Sequence, residues 1–255
     1  MRLGVGIDWA NGGWLAVSIG DGIEATTYPE FEAVWDEYVD EAILVDIPIG
    51  LVSRETIEDT GNNGRECDSL ARSAITPRYR SVFTPPCREA LNEIQSDKEP
   101  AYDSVSSTNK DVTDKGLTKQ AFHISKAIGQ VDSFLDSNED AVGRVRESHP
   151  EVCFRALAGE SLSASKTSAQ GFGQRLAALD AVADAPERDV RTIAQALDDE
   201  DIDADIDDVL DSLVLAHVAD APENEIETLP ENPPSDDADL PMEIVYRANE
   251  PFDIE

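Results

Sequence analysis

The sequence predicts an α/β fold in which three antiparallel strands are followed by a crossover to a buried parallel strand. Three short runs of β-forming residues, at 2–10, 12–20 and 22–29, are separated by Asn-Gly-Gly and Gly-Asp-Gly, which are hairpin signals. Residues 31–39 then carry apolar side chains at helical spacing, and residues 41–50 form a nearly continuous apolar run. A fully apolar strand is typical of the middle of a sheet that is covered on both faces.

The rest of the chain predicts mostly helices. One domain over residues 1–255, with a mostly helical and loop insertion at about 51–140, is the simplest account. Prolines interrupt residues 76–86, and the polar stretch at 97–116 is typical of a loop. The apolar spacing and the turn residues predict helices at about 65–75, 87–95, 117–137, 170–182, 188–198 and 205–219, a helix that begins near Pro150, a strand that ends near Glu147, and a last strand at 242–247.

The composition indicates a folded, strongly acidic protein. Its 255 residues carry a formal net charge of −34, from 54 acidic and 20 basic side chains, yet 40% of the residues are hydrophobic. A disordered acidic chain would lack this apolar content, so we interpret the charge as a solvated coat. Such a coat is typical of a halophilic protein that works in a salt-rich cytoplasm, where salt screens the repulsion between like charges.

The cysteines and the apolar runs favour an intracellular location. Cys67, Cys87 and Cys153 are too scattered for a metal knuckle, and their odd number argues against a disulfide framework, so we expect reduced, partly buried thiols. No signal peptide is visible, and no apolar run approaches the roughly 18 residues that span a membrane. We therefore expect a cytoplasmic protein without a membrane partner.

Two aspartates stand where buried strands are predicted to end. Asp8 follows the first apolar run, and Asp46 lies near the end of the buried run at 41–50. The predicted topology places these strands side by side with their carboxyl ends together, which is the edge where ligands bind in open α/β sheets. Two carboxylates at one edge need a shared proton or a cation between them.

The predicted helix at 205–219 offers two more carboxylates. Its apolar residues form one stripe, and Asp208 and Asp211, three residues apart, lie together at the side of that stripe. Carboxylates from two strands and one helix could therefore converge. Oxygen ligands of this number suit Mg²⁺ or Mn²⁺ rather than zinc. Two such cations about 4 Å apart would stabilise both sides of a phosphodiester displacement.

These residues lie in a series of segments that follow one another along the chain: GIDWANGGW, VDIPIGL, RECDSLAR, RYRSVFTPPCREAL, ESHPEVCF, DDVLDSLVLA and PMEIVYR. In this order the segments resemble the domain-of-unknown-function family 429, a predicted nuclease family of the ribonuclease-H-like superfamily. The resemblance covers nearly the whole chain and implies a ribonuclease-H-like mixed sheet flanked by helices.

The helix is also similar to the closing helix of Holliday-junction resolvases, whose aspartates complete a metal site. The resemblance implies that Asp8 and Asp46 are strand ligands of the metal, and that Asp208 and Asp211 are the helix ligands. The resolvase acid at the second strand is typically a glutamate, and Asp46 takes that place here. The alanine that follows the last resolvase aspartate is Ser212 in this chain.

The segment ESHPE adds further candidate catalytic residues. Glu147 and Glu151 could each be a fourth metal ligand or a general base, and His149 could assist the attacking water. The alternative is structural. Glu147 would end a strand in solvent, His149 would cap a turn, and Glu151 would be a favourable acid at a helix N-terminus behind Pro150.

Basic residues concentrate in one stretch of this acidic chain. Between residues 65 and 88 there are five arginines against Glu66 and Asp68, which gives a local charge of 5 − 2 = +3. Guanidinium groups suit phosphate, so we expect a nucleic-acid partner, either DNA or RNA, although pairing with the acidic coat is an equal alternative. The candidate substrate-binding residues are Arg65, Arg72, Arg78, Arg80, Lys166 and Arg175.

The leading hypothesis is a divalent-metal-dependent nuclease that holds Mg²⁺ or Mn²⁺ with carboxylates. One alternative is a non-catalytic module that keeps the fold and binds nucleic acid or protein. A less favoured alternative is an actin-like ATPase, because a second glycine-rich phosphate loop and a late adenosine motif are missing.

The acidic coat predicts a salt-dependent fold. We expect the melting temperature to fall when the protein is dialysed from molar to millimolar salt, because the Debye length of roughly 3 Å at 1 M lengthens and like charges repel. Circular dichroism at a series of KCl concentrations measures this. A melting temperature that does not fall would contradict the halophilic interpretation.

Overall fold

The computed structural model describes residues 3–96, 99–182, 192–195, 204–248 and 250–252. Its main sheet has the strand order β3-β2-β1-β4-β5, and β6 and β7 form a separate antiparallel pair. The strands are β1 (Gly4–Ala10), β2 (Gly13–Ile19), β3 (Ile23–Tyr28), β4 (Ala42–Val45), β5 (Val145–Glu147), β6 (Ile226–Leu229) and β7 (Ile244–Arg247).

The pairing directions confirm the predicted fold class. β1, β2 and β3 are antiparallel, β4 lies parallel beside β1, and β5 lies parallel beside β4. This mixed sheet, flanked by helices, is consistent with a ribonuclease-H-like fold. The helices are α1 (Phe31–Tyr38), α2 (Arg54–Thr60), α3 (Glu66–Ala74), α4 (Arg88–Ser96), α5 (Tyr102–Thr113), α6 (Lys119–Ser137), α7 (Pro150–Ala158), α8 (Ala169–Leu179) and α9 (Ile206–Ala219).

The first hairpin forms as its glycines predict. Ala10 pairs with Gly13, so the loop between β1 and β2 is Asn11 and Gly12, with φ angles of 50° and 85°. Two-residue loops with positive φ at both positions match the twist of the strands they join, and asparagine followed by glycine suits them best. The hairpin leaves the carboxyl end of β1 open beside β4.

The sheet separates two apolar cores. Val5 and Ile7 of β1 pack with α1 and α6 on one face. The other face is covered by α9, whose residues from Val209 to Ala219 are all buried. Side chains alternate between the faces of a strand, so Gly4, Gly6 and Asp8 lie on the face toward α9.

Two glycines let α9 lie directly on β1. A Cβ atom at Gly6 would lie 1.9 Å from the carbonyl oxygen of Ser212, and one at Gly4 would lie 2.1 Å from that of Ala216. Both distances are far below van der Waals contact, so only glycine permits this approach of a helix backbone to a strand. The helix therefore sits closer to the sheet than any side chain would allow.

Most predicted helices are confirmed, but the described part of the polar stretch 97–116, predicted to be a loop, contains a helix. Residues 102–113 form α5, because one face of this helix is buried and hydrogen-bonded. Asn109 accepts a hydrogen bond from the backbone N–H of Cys87 at 2.8 Å and donates to the carbonyl of Lys115. Tertiary contacts thus outweigh the weak helix propensity of serine, threonine and asparagine.

Helix α2 and strand β6 are not predicted by the sequence patterns. Most of the predicted helix at 188–198 lies outside the described residues. Within that range the structure describes residues 192–195, which are helical. The three cysteines are free, as expected, and they are fully rather than partly buried. In the described part of the chain, no helix combines the length and apolarity needed to cross a membrane.

The glycine contact predicts a costly substitution. We expect Gly6→Ala to destabilise the protein by about 3 kcal/mol, because its Cβ must displace the backbone of α9. Gly22→Ala is the matched control, since a Cβ there meets nothing within 4 Å. Urea unfolding of both variants measures the difference, and equal stabilities would contradict the close packing.

Candidate functional site

The sheet brings Asp8 and Asp46 to neighbouring positions. In the parallel register of β1 and β4, Ile7 pairs with Val45, and the N–H of Asp46 donates to the carbonyl of Ile7 at 2.9 Å. The two aspartates are the next residues on adjacent strands, at the carboxyl edge of the sheet. Both are partly buried. The predicted meeting of these residues is therefore present in the backbone pairing.

Helix α9 carries Asp211 and Asp208 to the same edge. It runs antiparallel to β1, since Gly4 lies against Ala216 and Gly6 lies against Ser212. Two residues beyond Gly6, toward the carboxyl end of β1, is Asp8. About one helical turn before Ser212, toward the N-terminus of α9, are residues 208–211. Asp211 is 4% exposed, and its Oδ1 is buried without a hydrogen-bond partner.

Burial and mutual repulsion make these carboxylates hard to ionise. Burial, followed by the charges of Asp46, Asp211 and Asp208, raises the pKa of Asp8 well above its usual range. Burial and the charge of Asp211 raise the pKa of Asp46 to about 7. Burial raises the pKa of Asp211 to about 6, although Lys166 opposes the shift. The cluster attracts either protons or a cation.

The ammonium group of Lys166 contacts the aspartates of α9. Its Nζ lies 2.7 Å from Oδ2 of Asp211, 3.3 Å from Oδ2 of Asp207 and 4.0 Å from Oδ1 of Asp208. Burial alone would lower the pKa of Lys166, but Asp211 and its neighbours hold it above its usual range. Lys166 had been a candidate for substrate binding, and the structure places it against the carboxylates instead.

Asp208 has a second role at the start of α9. Its Oδ2 accepts a hydrogen bond from the backbone N–H of Asp205 at 3.3 Å, which helps to satisfy the free N–H groups at this helix end. Burial raises the pKa of Asp208, with Lys166 opposing the shift. Asp208 thus bonds the helix N-terminus and lies farther from Lys166 than Asp211 does.

Glu147 is placed apart from the aspartates. In the parallel register of β4 and β5, Glu147 pairs with Val45, the residue before Asp46. Its carboxylate forms a buried ion pair with Arg65 and accepts the N–H of Ile49 at 2.7 Å. Glu147 therefore fixes the chain after β4, and its partner Arg65, 2% exposed, faces no solvent from which a substrate could approach.

Glu151 and its arginines form a second buried group, next to the cluster. The carboxylate pairs with the fully buried Arg175, and with Arg78 at 3.2 Å. The charge of Glu151 contributes to the raised pKa of Asp46 and of Asp211, so these groups are close enough to interact.

His149 caps helix α7. Its Nδ1 accepts the N–H of Glu151 at 3.2 Å, which is the structural alternative for this residue. Its Nε2 lies 3.4 Å from the carbonyl of Ser81, and burial lowers the pKa of the ring. The ring thus joins the start of α7 to the arginine-rich segment.

The remaining arginines differ in their exposure. Arg72 donates to the carbonyl of Val82 and to Oγ1 of Thr84, both at 3.0 Å, so it closes the loop after α3. Arg80 is exposed, with its guanidinium carbon 5.7 Å from the ring centroid of Tyr79. Of the arginines expected to bind substrate, Arg80 is exposed, and Arg72 and Arg78 are partly exposed.

The donors at the cluster fit a hard divalent cation, but they are not yet arranged around one. They are all carboxylate oxygens, which Mg²⁺ and Mn²⁺ prefer, and Oδ1 of Asp211 has a free coordination position. Among the described residues, no group of three or more histidine, cysteine, aspartate or glutamate side chains is positioned to hold a metal ion. In this arrangement the ammonium of Lys166 serves as the counter-cation.

The raised pKa of Asp46 predicts a pH-dependent effect of Asp46→Asn. The pKa of Asp46 is about 7 in the folded protein, against 3.8 for an ordinary aspartate. Between these two pH values the unfolded chain ionises Asp46 more readily than the folded protein does, so the folded state loses stability as the pH rises to 7. In metal-free buffer we expect the variant to be about 1–3 kcal/mol more stable than the wild type above pH 7 and equally stable near pH 4. Urea unfolding across this range tests the sign, and a difference that grows on acidification would contradict it.

Comparison with known proteins identifies a family. Searches of the curated proteins and of the solved structures find no match to this chain. The sequence does match, over residues 6–235, the family described as "Protein of unknown function (DUF429)". That match includes Asp8, Asp46, Lys166 and Asp211, and it spans most of the 255 residues. The chain therefore belongs to the DUF429 family.

Proposed function

We propose that this protein is a divalent-metal-dependent nuclease that hydrolyses phosphodiester bonds of nucleic acid. The observation that carries the proposal is the convergence of Asp8, Asp46 and Asp211, with one buried oxygen of Asp211 left without a partner. An unpaired carboxylate oxygen beside two other carboxylates is costly unless a cation or a proton joins it. A divalent cation drawn in among these carboxylates would offset their charges together.

The chain's own residues would divide the work. Asp8, Asp46 and Asp211 would hold Mg²⁺ or Mn²⁺, with Asp208 at the more open side. The bound metal would supply an activated water and neutralise charge on the phosphate. Without it, a proton at Asp46, whose pKa is about 7, relieves the repulsion near neutral pH. Metal affinity should therefore rise with pH as that proton is lost.

The surroundings offer room and positive charge for a nucleic acid. A cavity of about 430 Å³ lies beside the cluster and is lined by Lys166, Ser168, Phe172, Ile206 and other residues. The 3₁₀ turn that follows Arg78 carries the exposed Tyr79 and Arg80. An exposed aromatic ring beside a guanidinium suits stacking on an unpaired base. The proposal thus favours a substrate with accessible single-stranded nucleotides.

The proposal predicts which residues are essential. We expect Asp8→Ala and Asp211→Asn each to lower Mg²⁺- or Mn²⁺-dependent cleavage by more than about a hundredfold, because even groups that only orient a metal ligand contribute roughly 10- to 100-fold. Labelled single- and double-stranded DNA and RNA, incubated in high salt and resolved on gels, provide the measurement.

Asp21→Asn, in the exposed turn between β2 and β3, is the control and should cleave normally. Unchanged activity of Asp8→Ala would overturn the assignment of the site. Binding of the same oligonucleotides without metal and without turnover would favour the alternative of a non-catalytic binding module.

A further inference from the structure

Lys166 places one positive charge against three aspartates of α9, two of which, Asp208 and Asp211, the proposed function assigns to a metal. Its Nζ contacts Oδ2 of Asp211 at 2.7 Å, Oδ2 of Asp207 at 3.3 Å and Oδ1 of Asp208 at 4.0 Å. A lysine ammonium is a compact point charge with three donors, which makes it the side-chain group most similar to a metal ion. Arginine, with its planar fork, could not enter the same space among carboxylates from several directions.

The backbone that carries Lys166 is held on both sides. Ser168 donates its N–H and its hydroxyl to the carbonyl of Ser165, at 3.0 and 2.8 Å. The carbonyl of Ala164 accepts a hydrogen bond from Arg78 at 3.0 Å. The side chain itself is 33% exposed. The ammonium can therefore leave the carboxylates by rotating its flexible stem toward solvent, while the loop stays in place.

One oxygen of Asp211 is paired and the other is not. Oδ2 contacts Lys166, whereas Oδ1 is buried without a partner. A single positive charge among several acids leaves the group under-neutralised, whereas a divalent cation would bind the same oxygens more strongly. The two cations cannot occupy one position together, because like charges repel.

We infer that Lys166 and the divalent metal exchange at this site. The ammonium holds the carboxylates in place before the metal arrives, and metal binding expels it toward the solvent. The inference rests on the metal site of the proposed function. It makes Lys166 a positioning residue that keeps Asp211 and its neighbours together at the cost of competing with the metal.

Removal of the ammonium tests this exchange. We expect Lys166→Met to bind Mn²⁺ about tenfold more tightly than the wild type, because the metal no longer displaces a bound cation. Free Mn²⁺ is followed by electron paramagnetic resonance during a titration at about pH 8, where the carboxylates are least protonated. Lys126→Met is the matched control, since it removes an exposed lysine from α6, and it should bind like the wild type.

The outcomes separate the inference from the proposed function. Equal or weaker Mn²⁺ binding by Lys166→Met, in a protein whose circular dichroism is unchanged, overturns the exchange alone. No Mn²⁺ binding by either protein overturns the metal site and the exchange with it.

A second measurement needs no variant. Brief acetylation of the wild type, followed by mass spectrometry, should modify Lys166 several times faster with Mn²⁺ than without it, because the expelled ammonium has lost its ion pairs. Lys126 should react equally in both conditions. If metal that binds leaves the modification of Lys166 unchanged or slower, the exchange is wrong, even if Lys166→Met fails to fold.

Discussion

The site depends on the contact between α9 and β1. Gly4 and Gly6 present no side chain to the helix, so the carbonyl groups of Ala216 and Ser212 lie where Cβ atoms would otherwise be. The strand alternates, and the next residue on the same face is Asp8. Strand and helix run in opposite directions, so the close approach that begins at Gly4 ends with Asp8 beside the start of α9. A larger residue at either glycine would move the helix, and the distance between the carboxylates would change with it.

This proximity has an electrostatic cost that the surrounding residues only partly offset. Burial raises the pKa of Asp8, Asp46 and Asp211, and nearby carboxylates raise it further, Asp211 acting on Asp8 and Asp46, and Glu151 on Asp46 and Asp211. A chain of net charge −34 has few cations to spare, and among the described residues Lys166 is the one that forms an ion pair with Asp211. The cluster therefore costs folding stability, and buried carboxylates with strongly raised pKa values mark a candidate functional site. By contrast, the carboxylates of Glu147 and Glu151 are each paired with a buried arginine, Arg65 and Arg175 respectively.

The sequence predicts the strands that form the site better than it predicts the side-chain contacts within the site. Apolar runs that end in Asp8 and Asp46 predict strands and an edge, because strand period and topology follow from local patterns. The alternation Gly4, Gly6, Asp8 also holds a signal for a close helix, although glycine alone does not say which helix approaches. The partners of Lys166 and Arg65 could not be predicted, because they depend on where distant loops are placed. Five arginines in one stretch look like a substrate surface, yet internal carboxylates lie close enough to engage most of them.

Because most of these arginines contact other residues of the protein, few basic side chains remain to bind the phosphates of a nucleic acid. Affinity for phosphate through lysine and arginine falls steeply with salt, and an acidic coat repels the same phosphates. Arg65, Arg72 and Arg175 have protein partners, and Arg78 pairs with Glu151 while staying partly exposed. Arg80, part of Arg78 and, under the proposed exchange, Lys166 are then left to contact phosphate. With so few phosphate contacts, binding under the proposed function must rely on the metal and on stacking at Tyr79, both of which depend less on salt than surface ion pairs do. A deep carboxylate site with little basic surface is then what a nuclease adapted to high salt would need.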